Sequence, residues 1–249
     1  KAMKFFKKGN NRSNYSEAYS YYRKNIIKDE FSSIIYLFLG ILLMTISISY
    51  YKKQVKAGKI KSIAATMGLK QKCENQGYLL KTLSGLKYSF YLIFHPFDGF
   101  WDLKHENKSN ISTGTILLGM LTLVFIIIRQ YRCFIFNTRN LAEINIYVEI
   151  TSVVLPFMLW CIVNWSLTTL MDGKGTLKDI YLTTAYSFVP IIIINIPATI
   201  LSHFLIQQEG TFYYFLMTFS IIWSLSILFF GTMTIHEYGL GKNIMTTIL

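Results

Sequence analysis

The sequence predicts an all-α polytopic membrane protein: one N-terminal transmembrane helix, then a bundle of five helices with the last cut short, and amphipathic helices lying in the interface. Three observations predict it. Charged residues make up 15% of the 249 residues and hydrophobic ones 52%, where a soluble domain carries about 25% charged residues. The charge is also confined: Thr113–Ile128, Thr151–Met171, Thr183–Ile206 and Thr211–Ile235 contain no Asp, Glu, Lys or Arg. Lys and Arg crowd into the segments between such runs, as they do where loops set membrane topology.

The elements follow in order. Residues 1–30 are polar, basic and Tyr-rich, with a Gly-Asn break at Gly9–Asn14 between two helical stretches. Ala18, Tyr22 and Ile26 recur four apart on the second stretch, which resembles half of a tetratricopeptide-type hairpin. Residues 31–51 hold the first apolar run, Ile34–Ser49, flanked by Phe31 and Tyr50–Tyr51 as interfacial anchors. Residues 52–112 read as a basic cytoplasmic linker. Within it Leu79, Leu83, Leu86, Phe90 and Ile93 mark an amphipathic helix in the interface plane, ending at His95–Pro96. Residues 113–249 form the transmembrane bundle, in which Gln207–Gly210 is a tight polar turn between antiparallel spans.

Orientation follows from the charges nearest the first span. Six Lys lie in residues 52–71 against four Lys and Arg in residues 11–30, which places 52–112 in the cytoplasm and the N-terminus outside. The first residue is Lys, and the apolar stub Ile244–Leu249 rises only about 9 Å as helix. Both features read as a piece of a longer chain.

The formal charge of +12 points to anionic headgroups rather than to nucleic acid, because the basic residues flank spans. Cys73, Cys133 and Cys161 have neither metal-ligand nor disulfide spacing. His95, Asp98, Asp102 and His105, with Glu106 beside them, share a helix face. Their outer members lie about 15 Å apart along a helix, too far for one ion. Pro96, Phe97, Phe100 and Trp101 read instead as an interfacial anchor, with the aromatic side in lipid. The enzyme motifs GxSxG, HExxH and the Walker loop do not occur in the sequence. No catalytic residue, cofactor or metal site is expected.

Inside the spans, Asn164 and Asn195 stand near the middle and His203 near an end, where they serve as packing glue. No carboxylate lies in any span as the runs are drawn, which counts against a proton-coupled transporter. Pro190 and Pro197 fall seven apart in YSFVPIIIINIPATI. They free the carbonyls of Tyr186 and Ile193 and predict a bend between Tyr186 and Pro197. Thr183, Thr184, Ser187 and Asn195 stand nearby to satisfy the freed backbone.

Three segments carry a family resemblance: HPFDGFWDLKHE at His95–Glu106, DGKGTLKDIY at Asp172–Tyr181, and YSFVPIIIINIP at Tyr186–Pro197. With the span count, they make residues 78–249 resemble the bacterial form of the Yip (Ypt-interacting protein) membrane-domain family. The resemblance implies a helical bundle with a cytoplasmic N-terminal side and no catalytic residues. It also implies a non-enzymatic accessory or scaffold subunit in the cell membrane, in contact with lipids and other integral membrane subunits. Carbohydrate ABC-transporter permeases are one partner class it suggests. The alternative is an autonomous channel or small-solute transporter using the Pro-broken third bundle helix.

Overall fold

The computed structural model describes residues 2–29, 36, 43–45, 78–106, 108–137 and 145–248. The expected N-terminal span and the linker up to residue 77 lie almost wholly outside the described residues, as does Cys73. The described residues are helical with no strand, and they divide into two units, Lys1–Gln76 and Gly77–Leu249.

In the first unit, α1 (Ala2–Lys8) and α2 (Arg12–Asp29) pack against each other. Asn10 turns the chain with a positive φ of 52°, a region that Asn tolerates better than most residues. Asn11 then accepts the Asn14 N–H through Oδ1 at 3.1 Å and opens α2. Ser16 is buried, while Tyr22 and Ile26 face outward. The repeating Ala18–Tyr22–Ile26 series is therefore not the inner face of this pair.

The second unit begins with α3 (Tyr78–Phe94) and α4 (Pro96–His105). Pro96 sits at the N-terminus of α4, where its missing N–H costs nothing. Next come α5 (Ile111–Tyr131), α6 (Ile146–Leu170), α7 (Leu177–Ser187) and α8 (Val189–Leu201). A 3₁₀ turn at Gln207–Glu209 leads into α9 (Gly210–His236), and α10 (Leu240–Ile248) follows. Among the described residues, four stretches are long and apolar enough to cross a membrane: Ile111–Tyr131, Ile146–Thr168, Leu177–Leu201 and Gln207–His236. The protein is a multi-pass, all-α membrane protein.

The third span differs most from the sequence reading, at both of its ends. The third span starts at Leu177, not Thr183, because Thr176 and Asp179 form a capping box that opens the helix ahead of the apolar run. It ends at Leu201, not Ile206, because Ser202 turns the chain. The Ser202 hydroxyl donates to Thr199 O at 2.7 Å and accepts the Cys133 N–H at 3.1 Å.

The third span is the axis of the bundle. Of its most apolar window 61% is buried, against 17% for α6, so α6 is peripheral. α7 is buried from Leu182 to Ser187 although the stretch carries four hydroxyls. Thr184 and Ser187 donate to Ile180 O (2.8 Å) and Thr183 O (2.7 Å) one turn back. Tyr186, fully buried, donates to Gly85 O at 3.0 Å and reaches Ser109 Oγ at 2.8 Å, tying α7 to α3 and to the start of α5. Tyr186→Phe should lower stability by about 1 kcal/mol, since Ser109 loses its buried partner; a thermal melt in detergent measures it.

Small residues let these helices approach closely. A Cβ at Gly231 of α9 would lie 2.5 Å from Thr183 Cγ2 and 2.8 Å from Phe100 Cε2. One at Gly85 would lie 2.9 Å from Thr113 Oγ1. α3 therefore packs inward through Thr82, Gly85, Ser89 and Leu92 and turns Leu83, Phe90 and Phe94 outward. The apolar stripe is therefore split: Leu83 and Phe90 face outward, as suits a helix against lipid, while Ile93 is buried in the core and Leu86 packs against it.

Candidate binding cleft and polar interior of the bundle

The sequence residues at issue cluster at the two ends of the bundle. At one end lie the C-termini of α4, α6 and α9. Lys104 donates to Ile235 O at 2.8 Å and pairs with Glu237 at 3.1 Å, and Lys174 pairs with Glu237 at 2.6 Å. Asn164 is in the last two turns of α6, not at mid-span, and its Oδ1 lies 2.9 Å from His236 Nε2. His236 Nδ1 accepts the Gly175 N–H at 3.3 Å, so Nε2 carries the proton given to Asn164. This buried histidine locks α6, α9 and the DGKG turn together. The turn needs its glycines for space, since a Cβ at Gly175 would lie 2.5 Å from Ile235 Cγ2.

The Lys104 and Lys174 ammonium groups shape the titration of this end. Hydrogen bonds from Lys174, then Lys104, pull the Glu237 carboxyl down to about 2. On α4, the Lys108 ammonium likewise holds the Asp102 carboxyl below the usual carboxylate range, with Tyr88 also donating to it. Both carboxylates have depressed folded-state values. Their contribution is thus present above the ordinary carboxylate pKa and is lost as pH falls through the folded value. The thermal midpoint should hold steady from neutrality to about pH 4.5 and decline below it; Glu237→Gln should flatten that decline.

The putting together of His95, Asp98, Asp102 and His105 does not occur. His95 stacks on Tyr91 at 4.7 Å, His105 stacks on Trp101 at 4.4 Å, and Asp102 binds Lys108 at 2.5 Å. Among the described residues no three His, Cys, Asp or Glu side chains come together. Of the expected anchor residues, Phe97 and Trp101 are half-exposed, with Phe97 4.9 Å from the Phe230 ring. Phe100 departs from the expectation. It is fully buried, because the missing side chain of Gly231 leaves room for its ring in the core.

The opposite end carries what the sequence reading missed. Arg129 of α5 forms an ion pair with Glu149 of α6, whose side chain is almost fully buried. Both lie within span-length helices, so a carboxylate does lie in a span, contrary to the expectation from the apolar runs. The runs were bounded at charges: one ended at Ile128 and the next began at Thr151. The helices extend past these limits because each charge neutralises the other. Opposite charges at the facing ends of consecutive spans were the available signal.

Helix geometry is interrupted at Phe188, with φ −88° and ψ 2°. Pro190 lacks the N–H that would continue the ladder, and the chain resumes with the Ile191 N–H on Phe188 O at 3.1 Å. Pro197 stays inside continuous α8. Asn195 is buried and its Oδ1 accepts from Ser220 at 3.0 Å, linking α8 to α9. His203 lies beyond the end of α8, with Nδ1 3.1 Å from Thr199 O. Cys133 and Cys161 are buried and form no disulfide.

Beside the break lies a cavity of about 410 Å³ lined chiefly by apolar groups, among them Phe125, Pro156, Trp160, Phe188 and Leu228, with Arg129 also on its wall. A second cavity of about 340 Å³ shares Phe125, Arg129 and Ile191 with it and adds Arg132, Asn137 and Asn195.

This helical order accompanies a sequence match: residues 90–249 fit the Yip1 domain. The chain belongs to the Yip1 domain family. The Yip1 domain begins inside α3 and takes in every one of the four span-length stretches, while the hairpin of α1 and α2 falls outside it. The break at Phe188, the DGKG turn and the Phe100–Gly231 contact all belong to the Yip1 domain of this chain. No curated protein and no solved structure matches the chain.

Proposed function

We propose that this Yip1-domain protein is a non-enzymatic accessory or scaffold subunit of a membrane complex, working by lateral contact with other integral membrane proteins. The observation that carries this reading is how the interior polar groups are engaged. Asn164 binds His236, Asn195 binds Ser220, Tyr186 binds Ser109 and Gly85, and Arg129 binds Glu149. Each pair joins two segments of the bundle, which is the work of packing glue rather than of a reaction centre. The peripheral α6 leaves Leu155, Leu159, Ile162 and Val163 outward, a continuous apolar face for a neighbouring helix.

In this reading residues 78–110, the Met171–Thr176 turn and Glu237 face the cytoplasm, the N-terminal hairpin is extracytoplasmic, and residues 129–139 lie opposite. The charge balance around the first apolar run supports that orientation. Carbohydrate ABC permeases are the partner class suggested by the family resemblance. Purification of the full chain from native membranes in mild detergent tests the proposal. Stoichiometric recovery of permease or other multi-pass subunits is the expected result; recovery as a lone monomer overturns it.

A second reading is an autonomous channel or small-solute transporter. The observation favouring it is the cavity at the Phe188 break, with a charged residue on its wall. The Glu149 carboxylate, which that residue, Arg129, holds in an ion pair, is thereby removed as a free proton carrier. Solute flux into liposomes, wild type against Asn195→Leu, separates the readings; flux abolished by the substitution would establish the second.

A further inference from the structure

We propose that the cleft between α5, α8 and α9, at the Arg129 end of the bundle, is a binding site for an anionic phospholipid drawn from the adjoining leaflet. The phosphate lies against Arg132, Arg129 and Asn195, and an acyl chain lies against Phe125, Ile191 and Ile221.

The lining selects the charge. Arg132 is partly buried, and among the described residues no carboxylate lies within ion-pair distance of it. Its guanidinium sits over the Tyr213 ring at 5.6 Å, and its buried Nε has no hydrogen-bond partner. A guanidinium left without an anion at this depth is costly, and a phosphate oxygen is its natural complement. Asn195 turns the same way: Ser220 takes its Oδ1, which leaves its amide N–H groups as what it offers the cavity. Arg129 retains N–H groups beyond the one that binds Glu149. Two arginines against one carboxylate leave the site one positive charge in excess.

The rest of the lining selects an amphiphile over a free ion. The cavity of about 340 Å³ is otherwise walled by Phe125, Ile128, Ile191, Met217 and Ile221. Through Phe125, Arg129 and Ile191 it adjoins the larger apolar cavity, which offers a chain somewhere to go. Ile221 is half-exposed on the flank of α9, which opens the cleft sideways toward lipid rather than toward water.

The test uses the full chain in phosphatidylcholine nanodiscs containing a minor fraction of phosphatidylglycerol, with lipid adducts read by native mass spectrometry after release. Wild type should retain phosphatidylglycerol over phosphatidylcholine by roughly tenfold, the scale of one charge-assisted hydrogen bond. Arg132→Gln should erase that preference and Arg132→Lys should keep most of it. Ile221→Trp fills the cleft without touching the arginines and should also abolish retention, which keeps the proposal testable if Arg132→Gln fails to fold. Equal retention of the two lipids overturns it, as does retention unchanged in Ile221→Trp, which would mean lipid held around the perimeter. Displacement of phosphatidylglycerol by millimolar inorganic phosphate also overturns it, because the site would then read a free anion.

Discussion

Glu149→Ala should destabilise the bundle by about 3 kcal/mol, the lower end of the range for breaking a buried ion pair. The Glu149 side chain is only 6% exposed and that of Arg129 26%. Removing the carboxylate strands a guanidinium at the membrane-facing junction of α5 and α6. Its partial exposure keeps the effect at the low end. The pair also fixes where peripheral α6 docks, since α6 has little other buried surface. The thermal midpoint in detergent reads the loss. The informative control is the double variant Arg129→Met with Glu149→Met. Replacing both charges by apolar groups removes the desolvation penalty along with the attraction, so it should recover most of the stability. If the single variant melts with wild type, the ion pair has no structural role.

Gly231→Leu should cost about as much, roughly 3 kcal/mol at the upper end of the range for overfilling a core. Its first added carbon would fall 2.5 Å from Thr183 Cγ2 and 2.8 Å from Phe100. Thr183 is on the central helix and Phe100 is fully buried, so neither has room to move aside. Relief requires α4 to lift off α9, which would also separate Lys104 from Ile235 O and Glu237. Gly231→Ala should show a smaller loss of the same sign. Limited proteolysis between residues 95 and 110, together with a melt, distinguishes detachment of α4 from global unfolding. An undisturbed melt for Gly231→Leu would mean that α4 does not sit on α9 in the membrane.

These two sites differ in how far the sequence announced them. Phe100 was visible as an aromatic residue on an amphipathic helix, and periodicity assigned it to lipid with Phe97 and Trp101. Periodicity sorts residues into faces but does not say what each face meets. The face of Phe100 meets Gly231, 131 positions later in the chain, and no local signal carries that information. Arg129 and Glu149 were visible only as the charges that ended two apolar runs. A charge that bounds an apolar run carries no local sign of the partner it meets. Asn164 stands out in the sequence as a polar residue in an apolar run, but its partner His236 lies one residue past the run that ends at Ile235.

By itself the sequence determined the membrane class, the number and approximate placement of the four described spans, and a proline-bearing third span. Those follow from composition and from the backbone chemistry of proline, which act residue by residue. Only the tertiary structure decided that the third span is the central one, that the helix gives way at Phe188 rather than at Pro197, and which polar groups meet. Hydrocarbon penalises a buried donor or acceptor that is left without a partner. Which partner it finds is set by helix packing between residues distant in the chain, at the small side chains where two backbones come close enough to touch.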